Sequence, residues 1–298
     1  MKIAAITITY NDDYKFDEWC QHYSEYKDEL SKHIIVDNGS NKAYLDKVRG
    51  FFKDSIIIER QNNGGCTGAY NDGISLALED ENVDAIMLIG NDIKWKNGAI
   101  KLLYKYLYSN EKLGMAAPVM LKKDSNKIES YGVTFNLIGI PKIQDRNQTV
   151  SNVDKSKKVS YVQGGANMAK RTFYEKVGLQ DPKLFMYNDE MDMYFRMKKC
   201  GFIEGVTKES VAWHQHINYP NSKDMSADMA YLNGRNRVYI IKRHMGVIGL
   251  VMFVYMLTLE TAVFIRDISS KRSRKAYFHK WKGFMAGLKG NMDNSFLD

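Results

Sequence analysis

The amino-acid sequence predicts an α/β fold in which a mostly parallel sheet is flanked by helices on both faces. The first observation is that short apolar or β-branched runs alternate with helical patterns along the first half of the chain. The second is that these runs end in turns rich in Asn, Asp and Gly. The third is the length of 298 residues, which allows one large domain and an appendage, since a domain takes roughly 100–200 residues.

The first hundred residues supply four expected strands, each followed by a helix. Residues 2–9 are rich in β-branched side chains and end at Tyr10-Asn11-Asp12. The later elements repeat the pattern, with strands at 33–36, at 55–59 and from 86, and helices near 19–26, 42–52, 68–78 and 98–108. Units of this spacing favour parallel strand pairing.

An acidic residue follows the apolar run that begins at Ile86. The run stops abruptly at Gly90-Asn91-Asp92. In open α/β sheets ligands bind beyond the carboxyl ends of the strands, and an acid there is suited to hold a divalent cation against a diphosphate. The alternative is that Asp92 caps the next helix or forms an Asx turn.

The middle of the chain carries a second glycine-containing strand. A strand is expected at 114–121, and residues 122–158 are polar and irregular except for 133–140, which indicates a hairpin or a mobile loop. Another strand is expected from Tyr161 to Met168. Its Gly164-Gly165 pair either lets backbone approach a ligand or makes a tight bend.

Acidic residues cluster at the start of a later helix. Asp189, Glu190 and Asp192 lie within four residues, with Arg196 one turn on. They complement the helix dipole, or one acid pairs with Arg196 while another faces a cleft as a general base.

Histidines and arginines follow the last expected strand, at residues 210–213. His214 and His216 point the same way in extended chain, as metal ligands or as a surface pair. Arg235 and Arg237, on the next predicted helix, could neutralise phosphate or lie on a solvated face.

Several classes of protein are excluded. The three cysteines, Cys20, Cys66 and Cys200, are scattered and odd in number, which indicates a reducing compartment and no structural zinc site. The glycine-rich turn at 64–68 does not spell GxGxxG, so a nicotinamide dehydrogenase is not expected. No basic stripe lies on a nucleic-acid-binding motif, and the N-terminus lacks a signal-peptide pattern, so the protein is expected in the cytoplasm without a nucleic-acid partner.

The basic charge lies mainly in the tail, which we expect to attach to a membrane. From Ile241 onward there are ten Lys and Arg against four Asp and Glu, in a chain of net charge +8. Residues 246–265 carry only one charge, Glu260, and a basic amphipathic stretch follows. We therefore divide the chain into 1–240 and 241–298, and expect the second region to lie in or on an anionic leaflet, as an in-plane or re-entrant hairpin in preference to a crossing. The alternative is a helical hairpin packed on the first domain or on a second subunit in a homodimer.

The ordered set of turns resembles family 2 glycosyltransferases of the GT-A fold, in particular bacterial rhamnosyl- and other sugar transferases of polysaccharide assembly. The matching pieces run in family order from residue 1 to 244: Thr9-Tyr10-Asn11, the VDNGS turn, NNGG with the following GAYN, IGNDI, GGANMAKR, DEMD with Arg196, the histidine after the last strand, and GRNRVYIIKRH. The resemblance implies a Rossmann-like, mostly parallel or mixed sheet flanked by helices.

The resemblance also implies a site. Thr9, Asn11, Asp37 and Asn63 would line the base and ribose of a nucleotide-sugar donor. Other residues of the matched motifs expected at the donor are Asn71, Asn91, Gly164, Gly165, Arg235 and Arg237. Asp92 stands at the last acid of the family's DxD motif and would bind Mg²⁺ or Mn²⁺. Gly90 replaces the first acid, so His214, or secondarily His216, is expected to assist.

The catalytic base implied by the resemblance lies in the acidic cluster. The family's Glu-Asp pair is inverted here to Asp189-Glu190, and its second member usually serves as the base. We expect Glu190 in that role, with Asp189 as the alternative, and we expect Asp192 and Arg196 to hold the helix start.

The expected function is therefore metal-dependent, inverting transfer of a sugar. The donor would be dTDP-rhamnose or a UDP-sugar, and the acceptor a hydroxyl of a glycan or lipid-linked molecule, at the inner face of the cell membrane. One alternative is a sugar nucleotidyltransferase, although the first turn lacks the glycine-rich basic loop of that class. The other is a catalytically degenerate membrane-bound scaffold, which the missing acid at Gly90 favours.

Overall fold

The central sheet contains every strand expected in the first half of the chain. A computed structural model describes residues 1–135, 141–215, 227–266 and 271–295. The strands of the sheet are β1 Ile3–Thr9, β2 Lys32–Asp37, β3 Ile56–Glu59, β4 Ala85–Ile89, β5 Ile93–Trp95, β6 Leu113–Lys122, β7 Ile128–Ser130, β10 Ser156–Val159, β11 Ala166–Lys170 and β12 Ile203–His214; a separate hairpin pairs β8 Val133–Phe135 with β9 Pro141–Ile143. The main order of the ten-stranded sheet is β10-β12-β6-β11-β4-β1-β2-β3, with β5 paired to β12 and β7 paired to β6.

The helices flank the sheet or follow it. They are α1 Phe16–Tyr26, α2 Lys42–Phe51, α3 Gly65–Leu78, α4 Ala99–Tyr108, α5 Arg171–Val177, α6 Asp189–Lys199, α7 Ala227–Arg266 and α8 Lys271–Lys289. The α/β class and the sheet flanked by helices are thus as predicted.

The parallel half of the sheet aligns the functional turns. β4, β1, β2 and β3 are neighbours and run parallel. Apolar strands of this kind are buried on both faces, and Ile3, Ile6 and Ile35 are fully buried. Because Thr9 is in register with Asp37, the turns that follow β1 and β2 emerge side by side.

The antiparallel half departs from the sequence prediction. The strand expected from Tyr161 begins only at Ala166, because Gly165 takes a left-handed conformation with a φ of +79° just before it. β12 runs for twelve residues from Ile203 instead of four, and the unpredicted β5 pairs with its end. A hairpin or a mobile loop was expected within 122–158, and β8 and β9 form a hairpin there, although residues 136–140 lie outside the described part.

The chain divides into two compact units. The first comprises Met1–Gln180 and Arg196–Ile217, and the second comprises Asp181–Phe195 and Asn218–Asp298. The predicted boundary near residue 240 therefore differs from the structure. The physical reason is that the N-terminal part of α7 bonds to the segment before α6, as described below.

The second unit is built around the pair α7 and α8. α7 bends at Gly246, which has a φ of 53°. Gly283 and Gly287 of α8 lie against α7 so closely that a Cβ at Gly283 would be 2.1 Å from the backbone oxygen of Tyr231. Within the described ranges, we find no helix that is long and apolar enough to cross a membrane.

Candidate active site

The turns after β1 and β2 form one hydrogen-bonded wall. Asn11, with a φ of 51°, receives the amide of Asn41 on its Oδ1 at 2.9 Å and donates its own amide to Ser40 Oγ at 2.9 Å. Thr9 is almost completely buried and its hydroxyl bonds to the phenol of Tyr44. The predicted residues Thr9, Asn11 and Asp37 are therefore brought together at the carboxyl edge of the sheet.

Asp37 offers a buried carboxylate oxygen at this edge. The side chain is 1% exposed, and its Oδ2 accepts the amide of Ser40 at 3.0 Å. Its Oδ1 is also buried and has no hydrogen-bond partner in the described structure. Because an unsatisfied buried acceptor is costly, this atom is suited to accept a ligand N–H.

Asp12 is a functional-site residue that the sequence reasoning missed. Its Oδ2 accepts from Asn91 Nδ2 at 2.7 Å and from Thr9 Oγ1 at 3.1 Å, and its Oδ1 lies 3.2 Å from Lys15 Nζ. It therefore joins the turn after β1 to the turn after β4. The sequence contains a signal for it, since Asn11-Asp12-Asp13 is an acidic turn directly after the first expected strand.

Asn38 is a second residue that the sequence reasoning did not assign. Its Nδ2 donates to Asn63 Oδ1 at 2.7 Å, and its Oδ1 accepts the amide of Gly64 at 3.1 Å. Asn63 Oδ1 also accepts the amide of Gly65 at 2.9 Å. Asn63 thus lies directly before the glycine-rich turn at 64–68, and its side-chain oxygen fixes the shape of this turn through these hydrogen bonds.

Asp92 and His214 face each other across the mouth of a cleft. The distance from Asp92 Oδ2 to His214 Nε2 is 3.4 Å, and His214 Nδ1 lies 3.0 Å from Glu129 Oε1. The end of β12 pairs with β5 and the backbone amide of Gln215 donates to Asp92 O at 2.8 Å, so the fold brings both residues together. Glu129 was not identified from the sequence, because a lone acid in an irregular polar segment carries no pattern.

The charges of this group support one another. Burial alone would lower the pKa of His214, but its hydrogen bonds to Asp92 and Glu129 raise the pKa to about 9. Burial would raise the pKa of Asp92, and the hydrogen bond and charge of His214 outweigh this and lower it. The imidazole is therefore held as a cation between two carboxylates when no metal is bound.

The donor set fits a divalent cation. Within the described ranges, no three His, Cys, Asp or Glu side chains form a metal cage by themselves. Glu129 binds the far nitrogen of His214 and so lies across the ring from Asp92, as expected for the carboxylate that orients a metal-binding histidine. Asp92 and His214 are thus two side chains that could hold a cation, and His216, the other predicted ligand, lies outside the described residues.

Gly90 lies close to Asp92. A Cβ on Gly90 would lie 2.8 Å from Asp92 Oδ1, and the Gly90 amide donates to Gly165 O at 2.6 Å. Because Oδ1 is the end of a side chain, a larger residue at Gly90 would require the Asp92 carboxylate to shift.

A cleft that is partly open to solvent lies beside Asp92. Its cavity volume is about 130 Å³. Its walls include Asp92, Glu129, Gln163, Gly164, Gly165 and His214. The predicted glycine pair therefore lines the same cleft as the predicted metal ligands, and both lie in the first unit.

Two predicted donor contacts have structural partners instead. Asn71 donates to Gln180 O at 2.8 Å and accepts the Gln180 amide at 3.0 Å, which uses both ends of its amide to hold the chain after α5. Arg235 is fully buried and donates to the carbonyl of Asp293 at 2.9 Å and to that of Lys183 at 3.3 Å. The expectation that these two side chains contact the donor is corrected accordingly.

Arg237, which was also predicted to contact phosphate, lies beside a methionine in the structure. Its Nη1 is 3.7 Å from the sulfur of Met256, and its Nε is buried with no hydrogen-bond partner in the described structure. Both Arg237 and Arg235 belong to the second unit.

The acidic cluster begins α6 in the second unit. Desolvation, followed by the negative charges of Glu190 and Asp192, raises the pKa of Asp189 well above its ordinary value, although its side chain is only half-buried. Asp192 is fully buried and its Oδ1 lies 2.7 Å from His244 Nε2 and 3.6 Å from Arg243 Nη1. We expected Arg196 to help Asp192 hold the helix start, but Arg196 donates to Val177 O, and His244 and Arg243 anchor Asp192.

A strained loop presents this cluster. Phe185, Tyr187 and Asn188 have φ values of 62°, 70° and 63°, which are uncommon for residues other than glycine. Asn236 holds the loop, because its Nδ2 donates to the carbonyls of Leu184, Met186 and Tyr187 at 2.8–2.9 Å. The GRNR motif thus fixes the chain directly before Asp189 and Glu190.

The sheet order and the Asp92 cleft define an α/β protein with a cleft beyond the strand ends. The family model of glycosyl transferase family 2 matches residues 5–178. This match covers more than half of the chain, so the chain belongs to glycosyl transferase family 2.

The chain is also similar to a named relative, and three solved structures share its fold. The chain is 22% identical over 215 residues to the low-salt glycan biosynthesis hexosyltransferase Agl10 of Haloferax volcanii, which covers 70% of this chain and 66% of that protein. The mannosyltransferase PcManGT from Pyrobaculum calidifontis, solved with GDP-Man and Mn²⁺, has a TM-score of 0.58 at 12% identity, covering 96% of this chain and 87% of that one.

Two further solved structures have a similar fold. S. aureus TarS 1-349 has a TM-score of 0.57 at 11% identity and covers 98% and 82% of the two chains. GalNAc-T7, solved with UDP, GalNAc and Mn²⁺, has a TM-score of 0.57 at 12% identity, covering 81% of this chain and 48% of that one. The chain thus spans just under two thirds of the haloarchaeal relative and about half of GalNAc-T7. These likenesses establish the GT-A fold.

Proposed function

We propose that this chain transfers a hexose from a nucleoside diphosphate donor to a hydroxyl group of a glycan or lipid-linked acceptor, with inversion at the anomeric carbon. The observation that carries the proposal is the Asp92–His214 pair, 3.4 Å apart, on a cleft lined by Gly164 and Gly165 in a chain of glycosyl transferase family 2. The named hexosyltransferase relative and the Mn²⁺-containing neighbours support it.

Asp92 and His214 would hold Mg²⁺ or Mn²⁺, which supplies positive charge for the departing diphosphate. His214 must give up the proton on Nε2 to serve as a ligand, and Glu129 keeps the ring oriented through Nδ1. The open backbone of Gly164 and Gly165 leaves room for the sugar and diphosphate beside these ligands.

Asp37 supports a choice of base. Its buried Oδ1 requires an N–H donor, and uracil and thymine carry one at N3 whereas cytosine presents an acceptor there. We therefore propose a UDP- or dTDP-sugar, including dTDP-rhamnose, as the donor. Guanine also carries a ring N–H, so GDP-sugars are the comparison that tests this part.

Glu190 is proposed as the base that takes the proton of the acceptor hydroxyl. In a coupled pair of carboxyl groups, the one with the raised pKa retains the shared proton. Burial and the charges of Glu190 and Asp192 raise the pKa of Asp189, so Asp189 favours its protonated form, and we assign the role of base to Glu190.

Metal-dependent hydrolysis of a nucleotide sugar tests the proposal without knowledge of the acceptor. The purified protein would be screened with UDP-, dTDP- and GDP-sugars and Mn²⁺, with release of the nucleoside diphosphate as the readout. Glu190→Gln should lower turnover at least about a hundredfold, since a positioned base contributes roughly 10²–10⁴-fold, while the Kd for the nucleotide stays unchanged.

The controls separate the assigned roles. Glu175→Gln changes an exposed acid paired with Arg171 and should leave turnover unchanged. Normal turnover in Glu190→Gln together with an inactive Asp189→Asn would transfer the role of base to Asp189. Metal-dependent activity that is lost in Asp92→Ala but retained in His214→Ala would remove His214 from the metal site.

A further inference from the structure

The second unit exposes a row of large apolar side chains on α8. Phe278 is 58% exposed and Trp281 is 40% exposed, and Met285 and Leu288 continue the row. Positions 278, 281, 285 and 288 follow the three- and four-residue spacing of one helix face. Phe284 is not part of this exposed row, because it is buried and packs with Val238, Phe253 and Met256 of α7.

The part of α7 after the bend at Gly246 shows a similar face. Ile248 is 70% exposed, Val251 is 66% exposed, and Tyr255 and Leu259 follow at helical spacing. Isolated exposed apolar residues are ordinary, but a helical pair that exposes an apolar row on each member indicates an interaction surface.

The charge of α8 is entirely of one sign. Its nineteen residues contain seven Lys and Arg and no Asp or Glu. Lys275, Lys282 and Lys289 are exposed and seven residues apart, so they form a row along the helix. Lys282 follows Phe278 by four positions and Lys289 follows Met285 by four, which places the lysine row beside the apolar row.

We propose that α8 and the second part of α7 bind the surface of a bilayer that contains anionic lipids. The exposed aromatic and aliphatic side chains would enter the boundary between headgroups and acyl chains, and the lysine row would contact the anionic headgroups. Exposed Phe and Trp beside lysines are the side chains that such an interfacial helix uses.

Charge complementarity distinguishes this occupant from a second copy of the chain. A twofold dimer formed through this face would bring the same surface of both protomers together. Each α8 carries seven positive and no negative side chains, so the two would repel across that interface. An anionic bilayer instead neutralises the whole row.

The proposal concerns binding to lipid and is independent of sugar transfer. It is tested by co-flotation of the full chain with vesicles of phosphatidylcholine alone, or of phosphatidylcholine with phosphatidylglycerol. We expect binding to the anionic vesicles at least about tenfold stronger than to the neutral ones, and weaker binding at high salt.

Two variants and a matched control define the surface. Lys275→Glu, Lys282→Glu and Lys289→Glu together should weaken anionic binding at least about a hundredfold, since each basic residue beside an anionic surface contributes roughly a factor of five. The apolar variant, Phe278→Ser with Trp281→Ser, should also abolish flotation. The control reverses three exposed lysines of the first unit, Lys101→Glu, Lys105→Glu and Lys112→Glu, and should bind like wild type.

The proposal would be overturned by equal binding of the α8 charge variant and the control, or by absence of flotation with anionic vesicles. Concentration-dependent dimerisation in analytical ultracentrifugation that disappears in the Phe278→Ser, Trp281→Ser variant would likewise overturn it, because the face would then be covered by a second copy. Circular dichroism of all three variants checks that they are folded.

Discussion

At the scale of single residues, His214 is held by carboxylates on both sides of its ring. Asp92 and Glu129 contact opposite nitrogens of its ring, at 3.4 Å and 3.0 Å. A free imidazole rotates between rotamers, whereas a ring bonded to Glu129 presents Nε2 in one direction. If His214 binds the metal as proposed, Glu129 has a positioning role, because it would act on the metal through His214.

Replacing Glu129 with Gln should weaken Mn²⁺ binding by about 10–100-fold, because loss of the carboxylate that orients a metal-binding histidine has effects of this size. The measurement is the amount of free Mn²⁺ in an electron paramagnetic resonance titration of the purified protein. This readout is independent of catalysis. The variant should remain folded, since a hydrogen bond to His214 Nδ1 can still form.

The matched control for Glu129 is Glu209→Gln, which changes an exposed acid paired with Lys155. Its Mn²⁺ affinity should equal that of wild type. An affinity of Glu129→Gln within twofold of that control would show that Glu129 has no part in positioning His214.

His33 gives the protein a predicted dependence of stability on pH. It is buried in β2, where Nε2 lies 3.1 Å from Thr7 Oγ1 and Nδ1 lies 2.8 Å from Ser55 Oγ, and burial lowers its pKa to about 3. The unfolded chain binds a proton below about pH 6.5 while the folded chain does not, so stability falls as pH falls from 6.5 toward 3. Between pH 7 and pH 5 the loss from this residue should be about 2 kcal/mol.

Urea unfolding of wild type and His33→Gln at pH 7 and pH 5 measures this contribution. Gln can still hydrogen-bond and does not titrate, so the variant should lose about 2 kcal/mol less than wild type over the same pH interval. Equal losses in the two proteins would mean that His33 is protonated in the folded state.

At the scale of elements, the start of α6 depends on α7. Three carbonyls of the strained loop at 184–188, those of Leu184, Met186 and Tyr187, accept hydrogen bonds from Asn236 Nδ2. Strain of this kind persists only where the surroundings fix it. Here the fixed loop places the acidic pair Asp189-Glu190 at the first turn of the helix.

Asn236→Ala should lower the free energy of unfolding by about 3 kcal/mol, because buried carbonyls left without donors each cost roughly 1–3 kcal/mol. Urea unfolding measures the change. Thr258→Ala, on the same helix, is the control, since its exposed hydroxyl bonds to Tyr255 O of its own helix at 2.7 Å and its loss should cost less than about 1 kcal/mol. Equal losses in the two variants would show that Asn236 does not hold the loop.

The sequence predicted the elements whose cause is local. β1, β2 and β4 are short apolar runs closed by polar turns, and the structure confirms them. β5 could not be predicted, because its three residues form a strand only by pairing with the distant β12. The start of β11 was also wrong, since the left-handed turn at Gly165 depends on its contact with Gly90.

The sequence was less informative about the roles of single polar residues. Arg235 and Asn71 looked like ligand contacts because polar side chains in a motif read the same whether they bond to phosphate or to backbone. Only the fold shows that Arg235 bonds to the carbonyls of Lys183 and Asp293. Glu129 was missed for the opposite reason, since it lies 85 residues from His214 and no local pattern links the two.

At the scale of the whole molecule, the proposed functional residues are distributed over two compact units. The proposed metal ligands Asp92 and His214 lie in the first unit, and the acidic pair Asp189-Glu190 lies in the second. The second unit also contains the exposed surface of α8. Damage to the packing of one unit should therefore change its own functions and leave ligand binding within the other intact.

Gly283→Ala tests this division. A Cβ at Gly283 would lie 2.1 Å from the backbone oxygen of Tyr231, so α8 must move away from α7, at a cost of about 1–3 kcal/mol. The same substitution at Gly50, in α2 of the first unit, meets nothing within 4 Å and should stabilise the protein by about 0.5–1 kcal/mol. Urea unfolding of both variants measures the two changes. Vesicle flotation should be reduced in Gly283→Ala, while its Mn²⁺ affinity should stay within twofold of the Gly50→Ala value; a loss of Mn²⁺ binding that parallels the loss of stability would show that the two units do not act separately.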